Sequence, residues 1–216
     1  MKKILAVGAH LDDIEISCGG FLAKAVEKGD SVKCLVMSRS GYKNVFGKEI
    51  RSDEQAVGEG EKAFDILGIK NHEILDFPSK EIEYHYQIIE EIEKRVLEFD
   101  PDIILTHHVF DTHQSHVGVG KSTITASRRK NNIYMFEPVF PSGRSYVPFK
   151  AQAYVDITET MWKKVQALKE HRTEIEKFGE SWVEGIISRH QYRGFEMGVQ
   201  YAECFEVLRT DLNIWS

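Results

Sequence analysis

The 216-residue chain has only three cysteines, Cys18, Cys34 and Cys204, an odd number set far apart in apolar stretches. A disulfide framework is therefore not the expected organising device, and no C-x-x-C pair is present. Proline is scarce at five residues, three of them inside one segment, "PVFPSGRSYVPFK" at 138–150. That segment is expected to be irregular. No apolar run reaches the length of a membrane span, and neither a leader-type apolar region nor a cleavage site follows Lys2 and Lys3. The expectation is a soluble, cytoplasmic protein. Basic residues are outnumbered too: Lys plus Arg is 28 against 34 for Asp plus Glu, a formal net charge of −6. This balance leaves no broad electrostatic footprint for nucleic acid. Internal repeats, low-complexity tracts and linkers are all absent. The length suits one α/β domain over residues 1–216, with core units at 1–137 and a loop, helices and a terminal strand at 138–216 completing it.

What is present is a rhythm. Apolar runs of strand length alternate with amphipathic segments of helix length, which predicts βαβ units. Strands are expected at 3–9, 31–38, 72–77, 102–108, 132–137, 152–157 and 201–209. Helices are expected at 19–29, 51–69, 86–99, 116–129, 158–177 and from Ser181 onward, with 39–50 as the longest early loop. The fold class that follows is α/β, a mostly parallel, Rossmann-like sheet with helices on both faces. Ligands of such sheets bind beyond the carboxyl ends of the strands.

Two polar clusters stand at such ends. "HLDDIE" follows the first strand and "HHVFDTHQSH" the fourth, and together they hold five of the nine histidines. Adjacent carboxylates at a strand end repel each other and lose hydration, so a cation is the simplest compensation. Imidazole with carboxylate suits zinc or ferrous iron better than calcium or magnesium. Adjacent side chains diverge, so one of Asp12 and Asp13 can bind metal while the other stays free beside a metal-activated water. A free carboxylate there would act as general base, and the constellation points to hydrolysis of an acyl or related bond.

These residues carry a family resemblance. "AHLDDIEISCGG" resembles the A-H-P-D-D-x-E-x-x-x-G-G signature of the LmbE-like, PIG-L family of zinc-dependent N-acetyl-sugar deacetylases. "PDIILTHHVFDTHQSH" is similar to that family's second motif, and "RSDEQA" (51–56) and "RGFEMGVQYAECFEV" (193–207) extend the likeness over nearly the whole chain. The resemblance implies that His10, Asp13 and His116 bind the metal, zinc or alternatively Fe²⁺, and that Asp12 is the general base. It also implies that His113 stabilises the oxyanion or protonates the leaving amine, and that Glu15 orients the ligands from behind. Arg51 matches a position that contacts the sugar, although pairing with a nearby acid such as Glu54 accounts for it equally well. The substrate it implies is a small N-acetylated amino sugar or conjugate. Family members are often homo-oligomers.

Two departures stand out. Leu11 replaces the signature's proline, which stiffens the turn, and Ser115 replaces an aspartate that supports the catalytic histidine in many members. Asp111 is the carboxylate expected to take over that support; without one, His113 is protonated less often at neutral pH. A non-catalytic carbohydrate-binding relative and a ferrous oxygenase are the competing readings. Tyr42 in the 39–50 loop and Arg144 in the 138–150 segment are further candidates for sugar contacts. Trp162, Trp182 and Phe178 are expected in the core or an interface. "GVGKST" (118–123) lacks the glycine spacing of a phosphate loop, and its G-K-S string is read as chance.

Overall fold

In the computed structural model, which describes residues 1–215, the first half comprises β1 (Lys3–Gly8), α1 (Asp13–Glu27), β2 (Ser31–Val36), a hairpin of β3 (Tyr42–Lys43) and β4 (Glu49–Arg51), α2 (Asp53–Leu67), β5 (Asn71–Ile74) and α3 (Tyr86–Phe99). The second half comprises β6 (Ile103–Thr106), α4 (Gln114–Ala126), β7 (Ile133–Phe136), β8 (Ala153–Asp156), α5 (Met161–Glu170), α6 (Arg172–Phe178), α7 (Ser181–Met197) and β9 (Ala202–Arg209). Seven strands form one sheet in the order β5-β2-β1-β6-β7-β9-β8. The first five of that order are parallel to one another, while β9 runs antiparallel to both β7 and β8. The elements after residue 137 thus extend the same sheet.

β1 is apolar from Ile4 onward because both of its faces are covered. Ile4 and Ala6 pack with α1 and α2 residues such as Leu22 and Phe64, while Leu5 and Val7 pack with Ile88, Ile92 and Val119 of α3 and α4. The alternation is that of a strand sandwiched between helical layers. β2 and β5 lie to one side of β1, and the chain then crosses back to place β6 on the other. This reversal brings the loops after β1 and β6 together at one carboxyl edge.

Several boundaries differ from the sequence expectation. α1 begins at Asp13 rather than near Gly19, because Asp13 and Glu15, read as loop residues, are buried in its first turn. The expected helix over 158–177 is broken into α5 and α6 at His171, whose backbone leaves the helical region at ψ 63°. The 39–50 loop contains the β3–β4 hairpin, whose two short strands lack any apolar alternation that could have revealed them. Trp182 is buried, but Trp162 is 61% exposed and lies outside the core. α2 starts at Asp53, two residues later than expected, because Arg51 belongs to β4 and Ser52 forms a reciprocal cap with Gln55; it ends on Gly68 at φ 79°.

The "GVG" of 118–120 has a packing explanation. A Cβ on Gly120 would sit 2.6 Å from the His107 carbonyl oxygen, so glycine lets α4 lie directly against the end of β6. Gly120→Ala is expected to lower stability by about 1–3 kcal/mol through overpacking. Denaturant melts would read the loss. An alanine variant with unchanged stability would refute the close approach.

Candidate active site

The turn after β1 is built around one carboxylate. Asp13 Oδ2 accepts the backbone N–H of Ala9 at 3.0 Å and of His10 at 2.7 Å. Its negative charge occupies the N-terminus of α1, where the helix dipole favours it. Asp12, immediately before, has φ 129°, a conformation that L-residues rarely adopt. Such strain typically costs on the order of 1–3 kcal/mol and is concentrated at functional sites. Here it turns Asp12 toward the cavity while Asp13 folds inward.

The other half comes from the loop after β6 and the start of α4. His116 in the first turn of α4 places Nε2 3.2 Å from Asp13 Oδ1 and Nδ1 2.9 Å from Asp111 Oδ2. His107 places Nε2 3.1 Å from Asp13 Oδ2, and His10 Nδ1 is 3.4 Å from the same oxygen. The rings of His107 and His113 stack on that of His116, with centroids at 4.1 and 4.4 Å. Two overlapping sets of potential metal ligands result, His10/His113/His116 and Asp13/His107/His116, each with its donor atoms within 4.8 Å of one another. The expected set of His10, Asp13 and His116 draws on both. His107 belonged to the polar cluster in the sequence but had no assigned role; the signal available was its place directly after a buried strand.

The charges follow from this packing. Burial alone would raise the Asp13 pKa, but His116 and His107 hold it well below the usual carboxylate range. Burial would lower that of His116, yet Asp13 and Asp111 lift it to about 10. Burial, reinforced by the Asp13 and Glu174 charges, pushes Asp12 well above the ordinary range. Burial and the neighbouring His116 and His10 bring His113 down to about 4.

Asp111 does not take over the support of the His113 ring. Its side chain accepts the His113 backbone N–H at 3.1 Å and otherwise holds His116, while His113 Nδ1 is buried without a hydrogen-bond partner. Ser115 points elsewhere, donating to the Ser79 carbonyl at 2.6 Å. Glu15 does not hydrogen-bond to the ligand cluster either; its Oε1 lies 3.1 Å from His171 Nε2. Arg51 is 2% exposed and pairs with Glu59 at 2.9 Å and Glu174 at 3.4 Å, not with Glu54. It also donates to the Leu11 carbonyl at 3.3 Å. The partners of Glu15 and Arg51 were not visible in the sequence, because each lies on a different element from the residue it meets.

A cavity of about 380 Å³ opens above the cluster. Its walls include Tyr42, Arg51, Lys177 and Trp182, with Lys177 Nζ 4.7 Å from the centroid of the Tyr42 ring. Arg144 is not among the lining residues; its guanidinium lies 4.9 Å over the ring of Phe140, which is. Glu137, at the end of β7, also lines the cavity and pairs with Arg189 and Arg193. Burial opposes its ionisation, but Arg193 and Arg189 lower its pKa below the ordinary value. Its contribution to stability is therefore full above the unfolded glutamate value, near ~4.3, and lost as pH falls through the lower folded value. Glu137→Gln should flatten that acid limb in melts between pH 6 and 3; an unchanged slope would contradict the pairing.

Comparison with known proteins places this arrangement. The sequence model of the PIG-L family, described as GlcNAc-PI de-N-acetylase, matches residues 5–127, which contain both polar clusters. The uncharacterized deacetylase YaiS of Escherichia coli (strain K12) is 31% identical over 181 residues, covering 80% of this chain and 91% of that protein. Diacetylchitobiose deacetylase of Thermococcus kodakarensis is 26% identical, covering 94% of this chain and 82% of that protein. The crystal structure of GalB, the 4-carboxy-2-hydroxymuconate hydratase of Pseudomonas putida KT2440, superposes with a TM-score of 0.78 over 98% of each chain at 18% identity. That likeness shows the fold alone, and a fold can host more than one chemistry. The family match, which spans both loops, and the 31% identity to YaiS go further: the chain belongs to the PIG-L family of deacetylases.

Proposed function

We propose that the chain is a metal-dependent amide hydrolase that removes the acetyl group from an N-acetylated amino sugar or sugar conjugate. The observation that carries the reading is the pairing of a buried, imidazole-surrounded Asp13 with an Asp12 turned into the same cavity by a strained backbone. The cluster's mixed nitrogen and oxygen donors fit zinc or ferrous iron. His10, Asp13 and His116 would hold the ion, with Asp111 orienting His116 from behind and His107 braced against Asp13. When bound, the metal supplies Lewis acidity at the acetamide carbonyl and makes a nearby water more acidic.

The protein's own groups do the rest. Asp12 takes a proton from the attacking water as its oxygen bonds to the carbonyl carbon. His113, whose ring faces no supporting carboxylate, serves as a neutral N–H donor to the oxygen on which charge develops. The carbon–nitrogen bond then breaks, and the proton held by Asp12 passes to the leaving nitrogen, releasing acetate and a free amine. Tyr42 and Arg51 stand in the cavity wall where they can meet the sugar. The compound class acted on by the diacetylchitobiose deacetylase relative supports the choice of substrate.

The test is acetate and free-amine release across N-acetylglucosamine, diacetylchitobiose and N-acetylglucosaminyl conjugates, after chelation and re-addition of Zn²⁺ or Fe²⁺. Turnover that needs the added metal is expected. Absence of acetate from every substrate with either metal would reject the hydrolase reading.

A further inference from the structure

The positions at which this chain departs from the family signature, Leu11 and Ser115, sit in opposite halves of the site. Leu11 lies between His10 and Asp12; Ser115 directly precedes His116. A line of serine contacts joins them. The Leu11 N–H donates to Ser40 Oγ at 2.8 Å, and Ser40 is tied to Ser38 through its own N–H (3.2 Å to Oγ) and its hydroxyl (3.2 Å to the carbonyl oxygen). Ser38 Oγ lies 3.0 Å from Ser79 Oγ, and the Ser79 carbonyl accepts the Ser115 hydroxyl at 2.6 Å. Ser38, Ser40 and Ser115 are each no more than 5% exposed, so the bonds among Leu11, Ser40 and Ser38 are shielded from water, while those to Ser79 are partly buried.

Each end is specific to the residue found there. Proline at position 11 would have no N–H to give Ser40. Aspartate at position 115 would turn a carboxylate toward the Ser79 carbonyl, two acceptors with no proton between them. Ser40 holds φ 68°, a backbone state that disfavours any side chain, and in that state its hydroxyl reaches Leu11.

We propose that Ser40, Ser38, Ser79 and Ser115 form a brace that sets the spacing between the two halves of the metal centre, with Ser40 and Ser115 as positioning residues for the proposed hydrolase. The brace crosses from the turn after β1, past the end of β2, to the short 3-10 turn Ser79–Glu81 and the first turn of α4. Neither half of the ligand set can then move without shifting a hydrogen bond of the brace. This inference rests on the metal-site reading above, and its test does not depend on catalysis.

The experiment is a chelator-competition titration of zinc, repeated with Fe²⁺, on wild type, Ser40→Gly, Ser115→Ala and the double variant, with melting curves of the metal-stripped proteins. Loss of a group that orients metal ligands typically lowers affinity roughly 10–100-fold. Each single variant should show a loss of that order, and the double variant should lose little more, because either change cuts the same brace. Ser40→Gly limits the folding cost: glycine adopts φ 68° freely, which offsets part of the lost hydrogen bond, so the melting temperature should fall little while affinity falls roughly 10–100-fold. Where acetate release is measurable, kcat should fall with KM little changed. Affinities within twofold of wild type in both single variants, or losses that multiply in the double, would overturn the brace. So would a wild type that binds neither metal. A wild type that binds metal but releases no acetate would remove the hydrolase reading and leave the brace to be decided by the titration.

Discussion

Asp12→Asn is expected to lower kcat by roughly 10²–10⁴-fold, the usual contribution of a general base, while metal content by elemental analysis stays at the wild-type level. The substitution keeps side-chain size and tolerates positive φ, so the strained turn at 129° should survive it. Only the capacity to take a proton is lost. The opposite signature belongs to His116→Ala, which removes an imidazole held between Asp13 at 3.2 Å and Asp111 at 2.9 Å. That variant should lose metal as well as turnover. A near-normal rate in Asp12→Asn, or full metal content in His116→Ala, would reverse the roles assigned to the two residues.

Lys164→Met is expected to destabilise the protein by about 3–5 kcal/mol, the range for stranding one partner of a buried ion pair. Lys164 and Glu203 are both fully buried, with Nζ and Oε1 2.5 Å apart. Nζ also donates to the Ile16 carbonyl at 2.7 Å, while Glu203 accepts the N–H groups of Gly20 at 2.9 Å and Phe21 at 2.7 Å. A lysine from α5 and a glutamate from β9 thus clamp the interior of α1, the helix that carries Asp13. For a chain of this length the loss corresponds to a fall in melting temperature on the order of 10 °C. Adding Glu203→Gln should recover most of it, since glutamine keeps an acceptor for the α1 amides and removes the unpaired charge. A double variant no more stable than Lys164→Met would show that packing, rather than the stranded carboxylate, dominates. As a surface, two-body ion pair would be worth far less, the melting curves also distinguish a buried clamp from an incidental contact.

The alternation of apolar strands with helices was legible because β1, β2 and β6 are buried on both faces and are predominantly apolar, with Lys33 the one charge between their ends. So was the position of the chemistry, because polar residues directly after such runs have nowhere to lie but the carboxyl edge. The beginning of α1 was not. Asp13 and Glu15 read as loop residues because charge inside a first turn is expected to be solvated, and their compensation comes from His116, His107 and His171, far away in sequence. Arg51 illustrates the same limit. A neighbouring acid, Glu54, was the natural partner on a helix start, but Arg51 precedes the Ser52 cap and turns inward to Glu59 and to Glu174 of α6.

Residue types and their local spacing alone determined the α/β layering and the two polar loops that form the halves of the site, since strand period and helix period are local properties; the choice of His10, Asp13 and His116 as ligands came from the family resemblance. Tertiary structure decided which groups meet: that β6 lies against β1, that His107 faces Asp13, that Asp111 serves His116 rather than the His113 ring, and that Ser115 reaches Ser79. Pairing of this kind depends on the crossover that reverses strand order beside β1 and on desolvation once the helices close over the sheet, and both exist only in the folded chain.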